Sequence, residues 1–280
     1  MKLQNTVPHR GRLANIDKSI SFFLAILQFD PEPGVYIVRG IDAPDGSHPH
    51  MVALTNSGEP VGRFTCGGSL ISRRTVLTAA HCITAVFVNG SLSSYLRVTV
   101  GTNYWNTGGQ TYSVTRYVMH QHYNPATYTN DIGLLITASN VEFSKLVRPI
   151  QLSYDDILGG VHTKVTGWGR TEDNGYISEP LQELQATTIS GQECIDDVKL
   201  ASEKHNETLK PIDPLIEICT AHRQGYDTCS GDSGSPLTRV SDGKQIGVLS
   251  WGFKTCGLGA PDVYVRISAY KDWIQEHIVV

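Results

Sequence analysis

The sequence predicts an all-β protein of antiparallel strands. Short apolar, β-branched runs recur along residues 51–147 and again along 164–267, separated by Gly, Asn, Ser and Pro turns at short spacing. That cadence argues for a barrel or a sandwich. Charged residues are only 18% of the 280, and glycines number 27. Both suit a loop-rich β protein better than a helical one.

In chain order, the first set of runs is Met51–Thr55, Ser69–Ile71, Thr75–Thr78, Leu96–Val100, Ser113–Met119 and Ile132–Ile136. Val, Ile, Leu and Thr dominate them, the residues that fit a half-buried pleated surface. Leu146-Val-Arg-Pro149 then reads as a crossing to a second set: Lys164–Gly167, Leu184–Ile189, Pro236–Val240, Gln245–Ser250 and Val263–Ile267. Helical spacing enters at the end, where Tyr270, Trp273, Ile274, His277 and Ile278 form one face and Ser268 is placed to cap it.

Ahead of these elements, residues 1–18 are polar and basic and precede an apolar block of 11 residues, Ser19–Phe29. Such a block is too short to span a bilayer but fits the apolar region of a signal peptide. A signal starting at residue 1 would not carry so long a polar lead, so translation is expected to start downstream of Met1. Asp30-Pro-Glu-Pro-Gly-Val-Tyr36 reads as a short pro-segment. With 40% hydrophobic residues the chain can bury one large core or two moderate ones. Its net charge is −4, without a basic run or arginine stripe, which argues against nucleic acid as a partner. No membrane association is expected, and the protein is expected to be a monomer.

The chemistry concentrates in Asp227-Thr-Cys-Ser-Gly-Asp-Ser-Gly-Ser-Pro236. A serine hydroxyl attacks a carbonyl only if a base takes its proton and backbone N–H groups hold the oxyanion that forms. Gly231 and Gly234 bracket Asp232 and Ser233, and glycines permit the positive φ and close approach that such a loop needs. Gly-Asp-Ser-Gly is also ordinary turn chemistry; the upstream residues decide between the two. Thr78-Ala-Ala-His81-Cys82 follows the run Thr75–Thr78, and Asn130-Asp131-Ile132 opens the run Ile132–Ile136. Histidine, aspartate, serine is one of the chain orders in which a catalytic triad occurs. His120 and His122 could share a strand face, but no third ligand stands near them in sequence, so no metal site is expected.

With these segments, about Ile37 to Ile278 resembles the chymotrypsin and trypsin family of serine peptidases. Within it, Val100-Gly-Thr-Asn-Tyr104 and Pro261-Asp-Val-Tyr264 are most similar to secreted insect and crustacean chymotrypsin-like enzymes. The resemblance implies two antiparallel six-stranded Greek-key barrels with a C-terminal α-helix. Residues 1–36 would be the leader and 37–280 the peptidase domain, with barrels at about 37–148 and 149–267 and the helix at about 268–278.

The resemblance also assigns roles. His81 is the general base and then acid, Asp131 fixes its tautomer, and Ser233 attacks. The Gly231 and Ser233 amides form the oxyanion hole. Ser250-Trp-Gly252 pairs with the backbone of an extended substrate, as strand addition does. Cleavage at Tyr36–Ile37 frees an α-amine that turns inward to Asp232. Such a pairing raises the amine's pKa, so its stabilisation is whole at low pH and fades as pH climbs through the folded value. The implied disulfides are Cys66–Cys82, Cys194–Cys219 and Cys229–Cys256; the six cysteines alone fix no pairing. Each would contribute about 3 kcal/mol by loop closure. With no C-x₂-C pair, an oxidising, extracellular compartment follows. Asn89-Gly-Ser91 and Asn206-Glu-Thr208 are candidate glycosylation sites.

Four departures from the family pattern matter. Tyr36 stands where Arg or Lys usually precedes the activation bond, which implies an activator other than trypsin. Arg39 replaces a glycine, and cleavage after it would leave Gly40, a poor fit for an apolar slot. Asp227, six residues before Ser233, matches the acidic pocket floor of the trypsin branch, with Thr228 beside it. Asp262 matches a wall position that is glycine in trypsins. Two carboxylates in one pocket repel, raising one pKa until a cation enters. Arg or Lys is therefore expected before the scissile bond, with apolar residues partly tolerated; chymotrypsin-like or broad collagenolytic specificity is the alternative. The loop Gly101–Thr111, where trypsins often bind calcium, has no Asp or Glu, so no calcium or other cofactor is expected.

The expected substrates are proteins and peptides, with protein protease inhibitors as partners. A non-catalytic homologue usually loses the nucleophile or base, and this chain retains all three triad residues. An α/β-hydrolase esterase would carry G-x-S-x-G with the serine before its acid and histidine, and Asp232-Ser-Gly-Ser235 breaks that pattern.

Overall fold

The computed structural model describes residues 37, 38, 40–57 and 62–280. The expected leader and pro-segment, with Tyr36 and Arg39, lie outside the described residues. The strands are β1 (Ile41–Asp42), β2 (Met51–Asn56), β3 (Arg63–Leu70), β4 (Thr75–Thr78), β5 (Phe87–Val88), β6 (Ser91–Leu92), β7 (Leu96–Val100), β8 (Gln110–Met119), β9 (Gly133–Thr137), β10 (His162–Gly167), β11 (Gln182–Thr188), β12 (Glu217–Ala221), β13 (Pro236–Arg239), β14 (Gln245–Trp251) and β15 (Asp262–Arg266). The helices are α1 (Ala80–Thr84), α2 (Gly191–His205) and α3 (Lys271–His277).

Strand alternation builds the first barrel, which closes in the order β2-β3-β4-β9-β8-β7. Val52 and Leu54 of β2, and Leu96, Val98 and Val100 of β7, stand two residues apart and enter one core. The second sheet runs β1-β11-β10-β13-β14-β15-β12, and a β11–β12 pairing closes six of its strands into a ring. Val165, Leu184, Ile218, Leu237, Leu249 and Tyr264 fill that ring together with Ile37, which is wholly buried. The two expected barrels are therefore present, and β1 pairs with the second rather than with the first. The three expected disulfides pair as the family implies.

Elements that differ from expectation include α3 and α2. Ser268 lies in a 3₁₀ turn, Ile267–Tyr270, and α3 starts one residue later with no side-chain cap. Tertiary anchoring replaces the cap: Tyr270, Trp273 and Ile274 are buried in the first barrel's core, and the Tyr270 hydroxyl donates to Asn130 Oδ1 at 2.8 Å. The second is α2, which the strand cadence passed over. Its N-terminus is a capping box, with Ser190 Oγ accepting from Glu193 N at 3.2 Å and Glu193 Oε2 accepting from Ser190 N at 3.4 Å. Among the described residues no helix is long and apolar enough to cross a membrane.

Candidate active site

The site lies where three connections meet. Thr78 ends β4, and the chain turns at once into α1, which carries His81. Asp131 precedes β9 and follows Asn130, whose φ of 55° is left-handed, a conformation asparagine tolerates better than most residues. The fully buried Asp131 carboxylate accepts three hydrogen bonds. His81 N donates to Oδ1 at 2.8 Å, while Oδ2 lies 2.7 Å from His81 Nδ1 and accepts from Ser250 Oγ at 2.7 Å. A buried carboxylate survives only with such partners. With Nδ1 committed to Asp131, Nε2 is the edge left to accept a proton.

Ser233 sits on a loop that its glycines make possible. Gly231 has φ 105° and Gly234 φ 80°. A Cβ on Gly234 would strike Thr78 Oγ1 and the Gly67 carbonyl. The Asp232 and Gly234 amides are bonded, to Cys229 O at 3.0 Å and Leu249 O at 2.8 Å. Among the described residues the Gly231 and Ser233 amides donate to no protein acceptor, so two donors of one loop are free to receive an anion. Ser233 Oγ likewise makes no hydrogen bond there, and the serine shares a cavity of about 300 Å³ with His81. Catalytic hydrogen bonds are often long until substrate closes the site.

Asp232 is turned away from that cavity. Its wholly buried carboxylate accepts from Gly169 N at 2.7 Å and Cys229 N at 3.0 Å. Side chains on Gly167 or Gly169 would collide with it. Burial pushes its pKa up to about 7 against these two hydrogen bonds.

Of the expected substrate-binding residues, Thr228, Ser250, Trp251 and Gly252 line the cavity. Asp227 and Asp262 stand behind Thr228, whose Oγ1 donates to Asp262 Oδ1 at 2.7 Å. His222, unnoticed in the sequence, brings Nε2 within 2.8 Å of Asp262 Oδ2. Burial opposes ionisation of Asp262, but the His222 ring and these hydrogen bonds overcome it and hold the carboxyl below its ordinary value. Asp227 accepts from Gly257 N at 2.8 Å, yet burial and the Asp262 charge raise its pKa far above the usual carboxylate range. The two carboxyls are thus shifted in opposite directions, Asp262 down and Asp227 up.

Among the described residues, His222, Asp227 and Asp262 also form one of two groups with ligand-type atoms within 4.8 Å of one another; the other joins His81 to Cys66 and Cys82, whose sulfurs are bonded to each other. The His120 and His122 rings lie 5.7 Å apart, and His120 packs on Tyr270 and Trp273. Cavities of about 510 and 670 Å³ lie elsewhere; His222 lines the first, and neither includes His81, Asp131 or Ser233. Tyr128 and Lys210 also line the cavity that holds His81 and Ser233, and no local motif announced them.

The profile of the family described as Trypsin matches residues 37–274. Chymotrypsin-2 of Vespa crabro is 34% identical over 242 residues, covering 86% of this chain and 99% of the relative. Trypsin alpha-4 of Lucilia cuprina is 33% identical over 238 residues, 85% of this chain and 86% of that one. Trypsin of Phaedon cochleariae is 33% identical over 259 residues, with coverage of 92% and 94%. Among solved structures, neuropsin, a serine protease expressed in the limbic system of mouse brain, superposes with a TM-score of 0.71 at 28% identity, covering 85% of this chain and 97% of that chain.

Proposed function

The chain belongs to the trypsin family of serine peptidases and is a serine endopeptidase; from that premise we propose that it is secreted as a precursor, activated at Tyr36–Ile37, and cuts proteins after Arg or Lys. One observation carries the reading: His81, backed by buried Asp131, shares a cavity with Ser233, beside two unbonded amides. Ser233 Oγ attacks the substrate carbonyl carbon as His81 Nε2 takes its proton. The Gly231 and Ser233 amides receive the oxyanion. The C–N bond breaks as His81 returns the proton to the leaving amine, and water then releases the acyl group by the same steps, restoring the serine.

The activation reading is supported by Ile37. It is fully buried in the second barrel's core, yet has φ 50°, an outlier for a β-branched residue in an unbroken chain. The free α-amine would reach Asp232, whose buried carboxylate lacks a cationic partner among the described residues. Cutting Tyr36–Ile37 and adding a fluorophosphonate probe tests the whole scheme. Labelling at Ser233 in the cleaved form is expected; a cleaved protein that stays unlabelled would refute it.

Specificity follows from the paired acids. Asp262 is occupied by His222 and Thr228, so Asp227 is the group left to meet a substrate cation. Its proton must leave when Arg or Lys enters, and the empty pocket is otherwise neutral enough to admit an apolar side chain. Preference for Arg over Phe, measured as a kcat/KM ratio on matched peptides, is therefore expected to increase with pH. Asp227→Ser should cut the Arg rate about 100-fold while sparing Phe. A wild-type enzyme that favours Phe or Leu at every pH would instead establish the chymotrypsin-like alternative. Partners follow from the same reading: protein substrates and protein inhibitors that offer an extended strand to Ser250–Gly252.

A further inference from the structure

Lys210 enters the catalytic cavity from the connection between α2 and β12, outside both barrels. Its ammonium lies 4.3 Å from the centroid of the Tyr128 ring and 4.4 Å from that of Trp251. Tyr128 in turn meets the His81 ring edge-on at 5.4 Å. The cation is thus held between two π faces, an arrangement that fixes its position. Among the described residues no carboxylate comes within ion-pair distance of it. Lys254 lines the same cavity, and its backbone N donates to Glu207 Oε1 at 3.0 Å, tying the Lys210 connection to the segment after Trp251.

We propose that Lys210 is a specificity-determining residue that selects substrates with an acidic side chain at one of the three positions preceding the residue cut after. The argument rests on the peptidase reading. A peptide laid along Ser250–Gly252 with its scissile carbonyl at Ser233 runs its preceding residues past Trp251 and Tyr128, where the ammonium waits. Burial lowers the Lys210 pKa, and Lys254 acts in the same direction, while Glu207 and Asp131 oppose them. A substrate carboxylate would relieve that penalty and complete a charge-assisted contact without any rearrangement of the two rings.

The test uses the cleaved, active enzyme, normalised by fluorophosphonate titration, on peptides that place Glu or Gln at each of the three positions. The wild type is expected to favour Glu over Gln about fivefold or more at one of them, and less as salt rises. Lys210→Met, similar in length but uncharged, should bring that ratio near one; Lys210→Arg should retain it; Lys254→Met should leave most of it. A wild-type ratio near one at all three positions, or a preference that survives Lys210→Met, overturns the proposal. A preference abolished by Lys254→Met alone would move the role to that residue and equally overturn it. If the cleaved protein takes no label, the peptidase reading fails and this inference with it. Labelling without Glu over Gln discrimination sinks the inference alone.

Discussion

Ser233→Ala is expected to lower peptide hydrolysis by on the order of 10⁴-fold or more, the size measured for triads of this type, with almost no change in melting temperature. The two halves of that expectation come from one fact: Ser233 Oγ bonds nothing among the described residues and faces the cavity, so its loss removes a nucleophile and no structural contact. Hydrolysis of an Arg peptide and thermal unfolding of the same sample check both. A variant within tenfold of wild type would mean that another group attacks. A large fall in melting temperature would mean that the hydroxyl holds the loop, and loss of activity could then not be assigned to chemistry. His81→Ala is a weaker probe, because its ring also packs on Tyr128 and its Nδ1 pairs with the buried Asp131 carboxylate.

Why the candidate triad stands out in the sequence and its surroundings do not has a physical reason. His81, Asp131 and Ser233 sit in short local patterns that chemistry forces: glycines around the nucleophile, and an apolar strand just before the base and just after the acid. Runs such as Thr75–Thr78 and Leu96–Val100 are strands at those same residues, because both are dense in β-branched and aliphatic side chains that the first core absorbs. Strand β12 escaped because Glu217, a charged residue, points inward there; its carboxylate accepts from Asp213 N, and burial pushes its pKa to about 7. Missing that strand hid His222. Pairing of β12 with β15 sets Thr220 opposite Asp262, and His222, two residues on, then reaches the same carboxylate. Two overlooked elements did carry signals. Ser190-Gly-Gln-Glu193 is a capping box ahead of α2, and Asn89-Gly90, considered only as a glycosylation triplet, is the left-handed pair that turns β5 into β6. Lys210 had none, since its partners Tyr128 and Trp251 lie far from it in sequence and meet only in the folded site.

Unfolding of the uncleaved protein is expected to become easier as pH rises from about 4 to 7, and Asp232→Asn should remove much of that loss. Asp232 is wholly buried with a pKa near 7, against an ordinary value of 3.8. Between those values the native state holds a proton that the unfolded chain has released, so stability falls with increasing pH, at about 1.4 kcal/mol per unit, and levels off above the folded value. Glu217 and Asp227 contribute with the same sign, so only the difference between wild type and variant isolates Asp232. An asparagine amide leaves Cys229 N or Gly169 N unpaired, which lowers stability by a constant amount and leaves the slope readable. Cleavage should change the picture for the wild type only. The new α-amine of Ile37 is expected to pair with the ionised carboxylate, which would shrink the alkaline loss until the amine itself titrates and fix the loop bearing the Gly231 and Ser233 amides. Cleaved Asp232→Asn has no such pair and is expected to lose about 10³-fold in kcat/KM, the size of an unformed oxyanion hole. Urea titrations at several pH values, before and after cutting, read the slopes. If the slope of the uncleaved protein is the same in both proteins, Asp232 keeps no proton. If the cleaved variant is fully active, the oxyanion amides are set without any charge from the new terminus, and activation must act through the backbone of Ile37 leaving its left-handed conformation.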